Sequence, residues 1–168
     1  MYGCLSLMGP NSRSFLQSLI NSDISNKKFA FGYSKKIIIN NVECLLNRIT
    51  YVGELGFEIY IPYKNLIEIF NILLAKGKKV NLKLAGYHSL NSLRMEKGYL
   101  HWGHDITIEE NPYEAGVGFC VDMNKKSFLG KDKIEKKLKL GISKKKINFS
   151  LSDNKLLLYH NEPIYFDG

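Results

Sequence analysis

The sequence has few cysteines. Its 168 residues include only Cys4, Cys44 and Cys120, which are odd in number and far apart, and no Cys-x-x-Cys pair occurs. This spacing provides neither a zinc-binding framework nor a disulfide scaffold, and it predicts buried thiols in a reducing compartment. A chain of this length can bury roughly 70% of the surface of its unfolded form, so a core can hold it together without such cross-links.

Long apolar runs are also lacking. No segment approaches the roughly 20 apolar residues that a membrane-spanning helix needs. The first ten residues, MYGCLSLMGP, contain no basic region followed by a long apolar stretch. We therefore expect a cytoplasmic protein without a membrane partner. Hydrophobic residues make up 45% of the sequence and charged residues 24%, which is typical of a folded domain rather than a disordered chain.

Several catalytic signatures are missing. The loop Gly53–Gly56 lacks the Lys-Ser/Thr ending of a phosphate-binding P-loop and the third glycine of a dinucleotide-binding motif, so it favours a tight turn. No serine lies in a Gly-x-Ser-x-Gly elbow. Residues 101–105, HWGHD, contain two histidines but no obvious third and fourth metal ligand. We therefore expect a hydrogen-bonded loop in which Trp102 is packed, and we prefer this interpretation to a metal site.

Arginine is scarce and the positive charge is localised. The net charge is +8, and residues 125–146 alone contain ten lysines and two acidic residues, which leaves the remainder neutral. This segment could contact phosphates, which keeps a nucleic-acid-binding module as one hypothesis. Because the sequence has only three arginines and no grouped base-reading residues, we rank a nucleic-acid partner last. The same lysines also fit an ordinary solvated helix.

The apolar pattern predicts an α+β fold, in which helices pack on an antiparallel sheet. Strands are expected over residues 2–8 and 57–61. A hairpin is expected from Ile37–Ile39 and Val42–Tyr51 with its turn at Asn40-Asn41, because asparagine tolerates the positive φ of tight turns. Helices are expected after Pro10 and over residues 63–75, 84–97 and 130–140, with the third ending at Gly98 and the last at Gly141. In the third, Leu84, Tyr87, Leu90 and Leu93 recur at helical spacing, which predicts a face turned to a core. A short strand is predicted over Phe119–Met123.

The periodicity changes after Lys146. Alternating apolar residues from Ile147 onward predict short strands, and Asp167-Gly168 is a turn signal with no strand after it. We interpret residues 1–146 as one segment and residues 147–168 as the beginning of a further β domain that is cut short.

Two side chains stand out as ligand-binding candidates on chemical grounds. Glu58 is predicted on the polar face of a strand, where its carboxylate offers two adjacent acceptors that suit a planar ligand edge with two N–H donors, as in an aminopyrimidine. Tyr51 could supply a ring that stacks on such a ligand. A solvent-facing glutamate on a half-exposed strand is the alternative. Arg94 lies two residues from Glu96, so the two do not face each other, and each needs another partner if it is buried. The more ordinary interpretation is a charged helix end in water.

Six motifs in order and spacing resemble the glycine cleavage T-protein (aminomethyltransferase) family. They are LSLMGPN at 5–11, TYVGELGFE at 50–58, LAGYHSLNSLRMEKG at 84–98, HWGHD at 101–105, PYEAG at 112–116 and FLGK at 128–131. The residues of these motifs are most similar to those in the folate-binding portion of dimethylglycine and sarcosine dehydrogenases.

The resemblance implies tetrahydrofolate as cofactor and a small amine-derived one-carbon donor. In the family, the tyrosine and the second glutamate of the Tyr-x-Gly-Glu-x-Gly-x-Glu motif contact folate, and here these are Tyr51 and Glu58. The candidate cofactor-binding set also includes Glu54, Arg94 and Trp102. FAD is expected only if a further domain or a partner chain carries it.

Two departures from the family pattern limit the expected activity. The folate-contacting arginine of T-proteins falls at Leu90 by register. The family's catalytic aspartate lies upstream of every matched motif, before Met1, so no catalytic residue is assigned. We expect a folate-binding segment that is inactive alone, with a separate chain as a candidate source of the N-terminal half. A non-catalytic regulatory or interaction relative is the alternative.

Overall fold

The structure is a computed structural model that describes residues 1–153, 155–159 and 162–165. The chain divides into two compact units, Met1–Leu100 and His101–Gly168, here called the first and second units. The domain boundary predicted at residue 146 stays a prediction.

The first unit is built on a four-stranded antiparallel sheet. Its strands are β1 (Tyr2–Met8), β2 (Ser34–Ile39), β3 (Val42–Asn47) and β4 (Gly56–Pro62). They are arranged in the order β1-β4-β3-β2, so β4 lies between β1 and β3. This confirms the antiparallel α+β fold class and places the strand that carries Glu58 in the interior of the sheet.

Alternation along the strands sends one set of side chains into a core and the other set to the outer face. In β4, Phe57, Ile59 and Ile61 are fully buried, whereas Glu58 and Tyr60 lie between them on the outer face. Successive side chains of a strand point to opposite faces, so burying the isoleucines determines the direction of the glutamate. We use the term outer face below for the side of the sheet that carries Glu58.

The hairpin between β2 and β3 turns at Asn40 and Asn41. Both asparagines have positive φ angles, 46° and 64°. A two-residue turn with this geometry matches the twist of the strands it joins, which explains why asparagine occupies both positions. The predicted hairpin is confirmed, although β3 ends at Asn47 rather than continuing to Tyr51.

Helices cover the inner face of the sheet. Helix α1 (Ser12–Gln17) buries Phe15 and Leu16, and α2 (Leu66–Gly77) buries Ile69 and Leu73 after a 3₁₀ turn at Tyr63–Asn65. These side chains join the isoleucines of β4 in one apolar core.

Helix α3 (Tyr87–Glu96) differs from the predicted pattern. Leu84, Tyr87 and Leu93 were expected to face a core, but all three are exposed and the one buried residue of the helix is Arg94. The predicted end of the helix is confirmed. Gly98 has φ 72°, its N–H donates to Met95, and the N–H of Tyr99 donates to the carbonyl of Arg94, which together form a Schellman motif.

The described residues of the second unit form loops, a 3₁₀ turn and one α-helix. Helix α4 (Lys131–Leu140) ends before Gly141, as predicted. The strand predicted over Phe119–Met123 is wrong: Gly118–Cys120 forms the 3₁₀ turn, and Phe119 is exposed. A strand requires a neighbouring ladder, which the alternating sequence could not guarantee.

The short strands predicted after Lys146 are also absent from the described residues of that stretch. Its apolar side chains, including Ile147 and Phe149, are exposed, and Leu156 donates its N–H only across a local turn to Asp153. The predicted turn at Asp167-Gly168 lies outside the described residues. Alternation favours a strand only where a partner strand is available, because the backbone groups need ladder hydrogen bonds.

Two expectations about composition have mixed outcomes. Only Cys44 is a buried thiol, whereas Cys4 and Cys120 are exposed. Cys4 lies on the outer face, opposite Tyr60 of β4, because of its position in the alternation of β1. Among the described residues, no helix is long and apolar enough to cross a membrane.

Candidate functional site

The outer face of β4 presents Glu58 together with Tyr60. Glu58 lies opposite Ser6 of β1 and Asn47 of β3, so its carboxylate is surrounded by small or polar neighbours on that face. The Tyr60 hydroxyl donates a hydrogen bond to Glu58 Oε2 at 2.7 Å. Because the acceptor is a carboxylate, this bond and its negative charge raise the pKa of Tyr60 to about 12. Tyr60 therefore stays protonated near neutral pH and orients the carboxylate.

Tyr51 lies in the loop before β4 and contacts the segment that follows α3. Its hydroxyl donates to the carbonyl of Leu100 at 2.9 Å. Its ring stacks on that of Tyr99, with the centroids 6.4 Å apart and the planes inclined by 30°. One hydrogen bond and one ring contact thus hold the tyrosine from its two ends, and it remains half-buried rather than enclosed.

The glycine loop is held close to the same segment. Gly53 has φ 72°, and a side chain there would clash with the methylenes of Lys97. Only glycine combines this positive φ with so close an approach, which confirms the prediction of a tight turn. Glu54 pairs with Lys97 at 3.4 Å, and both side chains are nearly half exposed, so the pair contributes little to stability.

Arg94 is buried, with 4% of its surface exposed. Its Nε donates to Asn91 Oδ1 at 2.8 Å and its Nη1 donates to the carbonyl of Tyr99 at 3.0 Å. A buried guanidinium requires such acceptors because an unpaired buried charge is costly. The interpretation of this residue as a charged helix end in water is therefore wrong, since the return of the chain after Gly98 covers it.

Trp102 belongs to the second unit, in the cluster of residues 101–105. The loop is hydrogen-bonded as expected: Gly103 donates its N–H to Ile106, and the N–H of His101 donates to Asp105 Oδ2. The packing expected for Trp102 is wrong, because the side chain is 62% exposed. No group of three or more histidine, cysteine or acidic side chains in the described residues could hold a metal ion.

Three of the five predicted site residues are therefore connected in the first unit. Tyr51, Glu54 and Arg94 all contact residues 97–100, whereas Glu58 is oriented separately by Tyr60. The period-two pattern of β4 could have identified Tyr60 as a partner of Glu58. No sequence signal identified Tyr99 as the residue that joins Arg94 to Tyr51.

The lysine-rich segment is partly neutralised within the second unit. Lys137 pairs with Glu114 at 2.9 Å, and Lys144 pairs with Glu110 at 2.8 Å. The Glu114 side chain is 1% exposed and also accepts the N–H of Asn111. Hydrogen bonds from the lysines and from backbone N–H groups lower the pKa of both carboxyls, that of Glu110 to about 2. Two of the ten lysines are thus paired within the protein, and the nucleic-acid hypothesis stays a hypothesis.

Comparison with known proteins yields a consistent set of relatives. Sarcosine dehydrogenase, mitochondrial, of Homo sapiens is 34% identical over 167 residues, which is 99% of this chain and 18% of the relative. Aminomethyltransferase of Thermoanaerobacter sp. (strain X514) is 37% identical over 150 residues, 89% of this chain and 40% of the relative. The 4-methylaminobutanoate oxidase (formaldehyde-forming) of Paenarthrobacter nicotinovorans is 34% identical over 165 residues, 98% of this chain and 20% of the relative.

The chain therefore spans less than half the length of these relatives. The family model described as the GCVT N-terminal domain matches residues 1–125, which include the whole sheet, the glycine loop and α3. With most of its length in that match, the chain belongs to the GCVT family, as its motifs indicated.

Proposed function

We propose that this chain is a tetrahydrofolate-binding segment of a one-carbon transferase or demethylating dehydrogenase. The observation that carries the proposal is the outward-facing carboxylate of Glu58, oriented by Tyr60 at 2.7 Å. The relatives support the chemical class, since they are named for aminomethyl transfer or for oxidation of methylated amines.

The Glu58 carboxylate fits the amino and ring N–H edge of a pterin. Each carboxylate oxygen can accept about two hydrogen bonds. Tyr60 uses one of these positions, on Oε2, and within the described part of the chain Oε1 has no hydrogen-bond partner. Enough acceptor capacity therefore remains for two adjacent N–H donors, and charge-assisted bonds of this kind are among the stronger ones.

Tyr51 fits a supporting role for the ring system. Its hydroxyl is already used by Leu100, so its contribution to a ligand would come from the ring. Aromatic rings prefer offset or tilted stacking on other planar groups. The contacts with Leu100 and Tyr99 restrict the ring before any ligand binds, which lowers the entropy cost of binding.

The other candidate residues have smaller or separate roles in this proposal. Glu54 pairs with Lys97 and can accept further N–H groups at the surface of the loop. Trp102 offers an exposed indole on the second unit. Both remain proposed folate contacts.

Catalysis requires more than these residues supply. The chain spans 40% of the aminomethyltransferase relative, so we propose that a further polypeptide segment, covalently linked or separate, supplies the catalytic carboxylate of the family. A flavin, where the reaction is an oxidation, would be bound by that segment or by a partner. We expect no turnover of sarcosine or dimethylglycine by residues 1–168 alone, and activity well above background would contradict this.

The ligand proposal is tested by titrating tetrahydrofolate under anaerobic conditions into the wild type and Glu58→Gln. The variant keeps the shape of the side chain but loses its charge and one acceptor. Hydrogen bonds to charged groups contribute about 1.5–3 kcal/mol, so affinity should fall about 10-fold to 100-fold.

Glu43→Gln is the matched control. Glu43 lies on the same outer face, in β3, and pairs with Lys36 in an exposed ion pair. Its substitution should leave tetrahydrofolate affinity unchanged. Equal affinity of the wild type and Glu58→Gln would refute the assignment of Glu58 to the ligand.

A further inference from the structure

Arg94 holds one residue, Tyr99, by both of its backbone polar groups. The Arg94 carbonyl accepts the N–H of Tyr99 at 2.8 Å, and its Nη1 donates to the carbonyl of Tyr99 at 3.0 Å. The first bond belongs to the Schellman motif that ends α3. The second bond is made by the Arg94 side chain, so the residue type at position 94 determines whether the Tyr99 carbonyl is held.

Tyr99 and its neighbour Leu100 are in turn the two residues that hold Tyr51. The Tyr99 ring stacks on the Tyr51 ring, and the Leu100 carbonyl accepts the Tyr51 hydroxyl at 2.9 Å. The contacts therefore run from Arg94 through the backbone of two residues to Tyr51. All of them lie within the first unit.

Burial explains why this side chain has little freedom to bind a ligand directly. Arg94 is 4% exposed, and Asn91 Oδ1 accepts its Nε at 2.8 Å, which holds the guanidinium plane on the helix. Planar guanidinium groups with several donors in fixed directions are suited to holding two acceptors at once. A lysine has a single ammonium group and would not reproduce both directions.

We infer that Arg94 is a positioning residue, which fixes Tyr99 and Leu100 and through them orients the Tyr51 ring for a ligand. This inference rests on the proposed function for the identity of the ligand, but the positioning of the ring can be measured without one. It reassigns Arg94 from direct cofactor contact to support of Tyr51.

The experiment combines NMR spectroscopy of ring-labelled tyrosines with tetrahydrofolate titration of the same proteins. The Tyr51 ring signals are assigned by their loss in Tyr51→Phe. Arg94→Lys and Asn91→Ala each weaken the hold on Tyr99, so the Tyr51 signals should shift or broaden in both, and affinity for tetrahydrofolate should fall about threefold to tenfold. If Arg94→Lys does not fold, the Tyr51 signals and the tetrahydrofolate affinity of Asn91→Ala test the inference.

Ser92→Ala is the matched control on the same helix. Its hydroxyl is exposed and donates only to the carbonyl of His88, so neither the Tyr51 signals nor the affinity should change. A double variant, Tyr51→Ala with Arg94→Lys, should bind no more weakly than Tyr51→Ala alone, because Arg94 acts on the ligand through the Tyr51 ring, which Tyr51→Ala removes.

The outcomes separate this inference from the proposed function. Unchanged Tyr51 signals in both Arg94→Lys and Asn91→Ala would overturn the inference, whatever the affinities. Fully additive losses in the double variant would overturn it as well. A third outcome is that the Tyr51 signals shift in the two variants while the wild type itself binds no tetrahydrofolate. That outcome would support the positioning of the ring and reject the proposed ligand.

Discussion

Adjacent residues of β4 should separate stability from ligand binding. Ile59 is fully buried between the sheet and the helices, whereas Glu58 faces outward and bonds to Tyr60. We therefore expect Ile59→Ala to reduce stability with little effect on the site, and Glu58→Ala to reduce ligand affinity with little effect on stability.

The expected size of each effect follows from burial. Removing a fully buried isoleucine side chain to alanine typically costs about 2–5 kcal/mol, since apolar contacts are lost and a cavity remains. Each kcal/mol lowers the melting temperature of a chain of this size by about 2–4 °C. Glu58→Ala removes a partly exposed group, so its effect on the free energy of unfolding should stay within about 0.5 kcal/mol.

The assay is urea denaturation followed by far-ultraviolet circular dichroism, with tetrahydrofolate titration of the same samples at a temperature where both variants are folded. Ile59→Val is the graded control. It leaves a smaller cavity and should cost about 0.5–1.5 kcal/mol.

Two results would refute this reasoning. A stability loss in Glu58→Ala as large as that in Ile59→Ala would show that the carboxylate is part of the structural core. A strong loss of affinity in folded Ile59→Ala, with Glu58→Ala unaffected, would place the ligand on the inner side of the sheet.

Two titration experiments test the electrostatics. Glu58→Gln should return the pKa of Tyr60 from about 12 toward its ordinary value near 10, because the acceptor loses its charge, and carbon-13 NMR of labelled tyrosine rings measures this. The second unit should lose stability as the pH falls from about 4.5 toward 2. Its folded-state pKa values for Glu110 and Glu114 are depressed, so the unfolded chain binds more protons in that window. Fluorescence of the single tryptophan during urea denaturation at several pH values reports this, and stability that is constant down to pH 3 would contradict it.

Local chemistry was sufficient to predict much of the first unit. Alternation in β4 predicted which side chains are buried, and paired asparagines predicted the hairpin turn. Gly98 predicted the end of α3. Each of these features depends on residues within a few positions of one another, so periodicity and turn propensity carry the information.

The strands predicted in the second unit rested on the same kind of local pattern as β4, and they were wrong. Alternation at 147–151 and the apolar residues at 119–123 are local signals, but a strand also needs a ladder partner from elsewhere in the chain. Within the described residues, neither segment has one. Sequence periodicity alone does not show whether a partner strand is available.

Sequence by itself determined the family motifs, the outward direction of Glu58 and the concentration of lysine in one segment. Only the tertiary structure decided the partners of the charged groups. Arg94 is buried because the chain turns back at Gly98 and brings the Tyr99 carbonyl to its guanidinium. Glu114 is buried because α4 brings Lys137 to it from 23 positions away. A buried charge needs a hydrogen-bond partner or an opposite charge, and the backbone path decides whether one arrives, from five positions away for Arg94 and from 23 for Glu114.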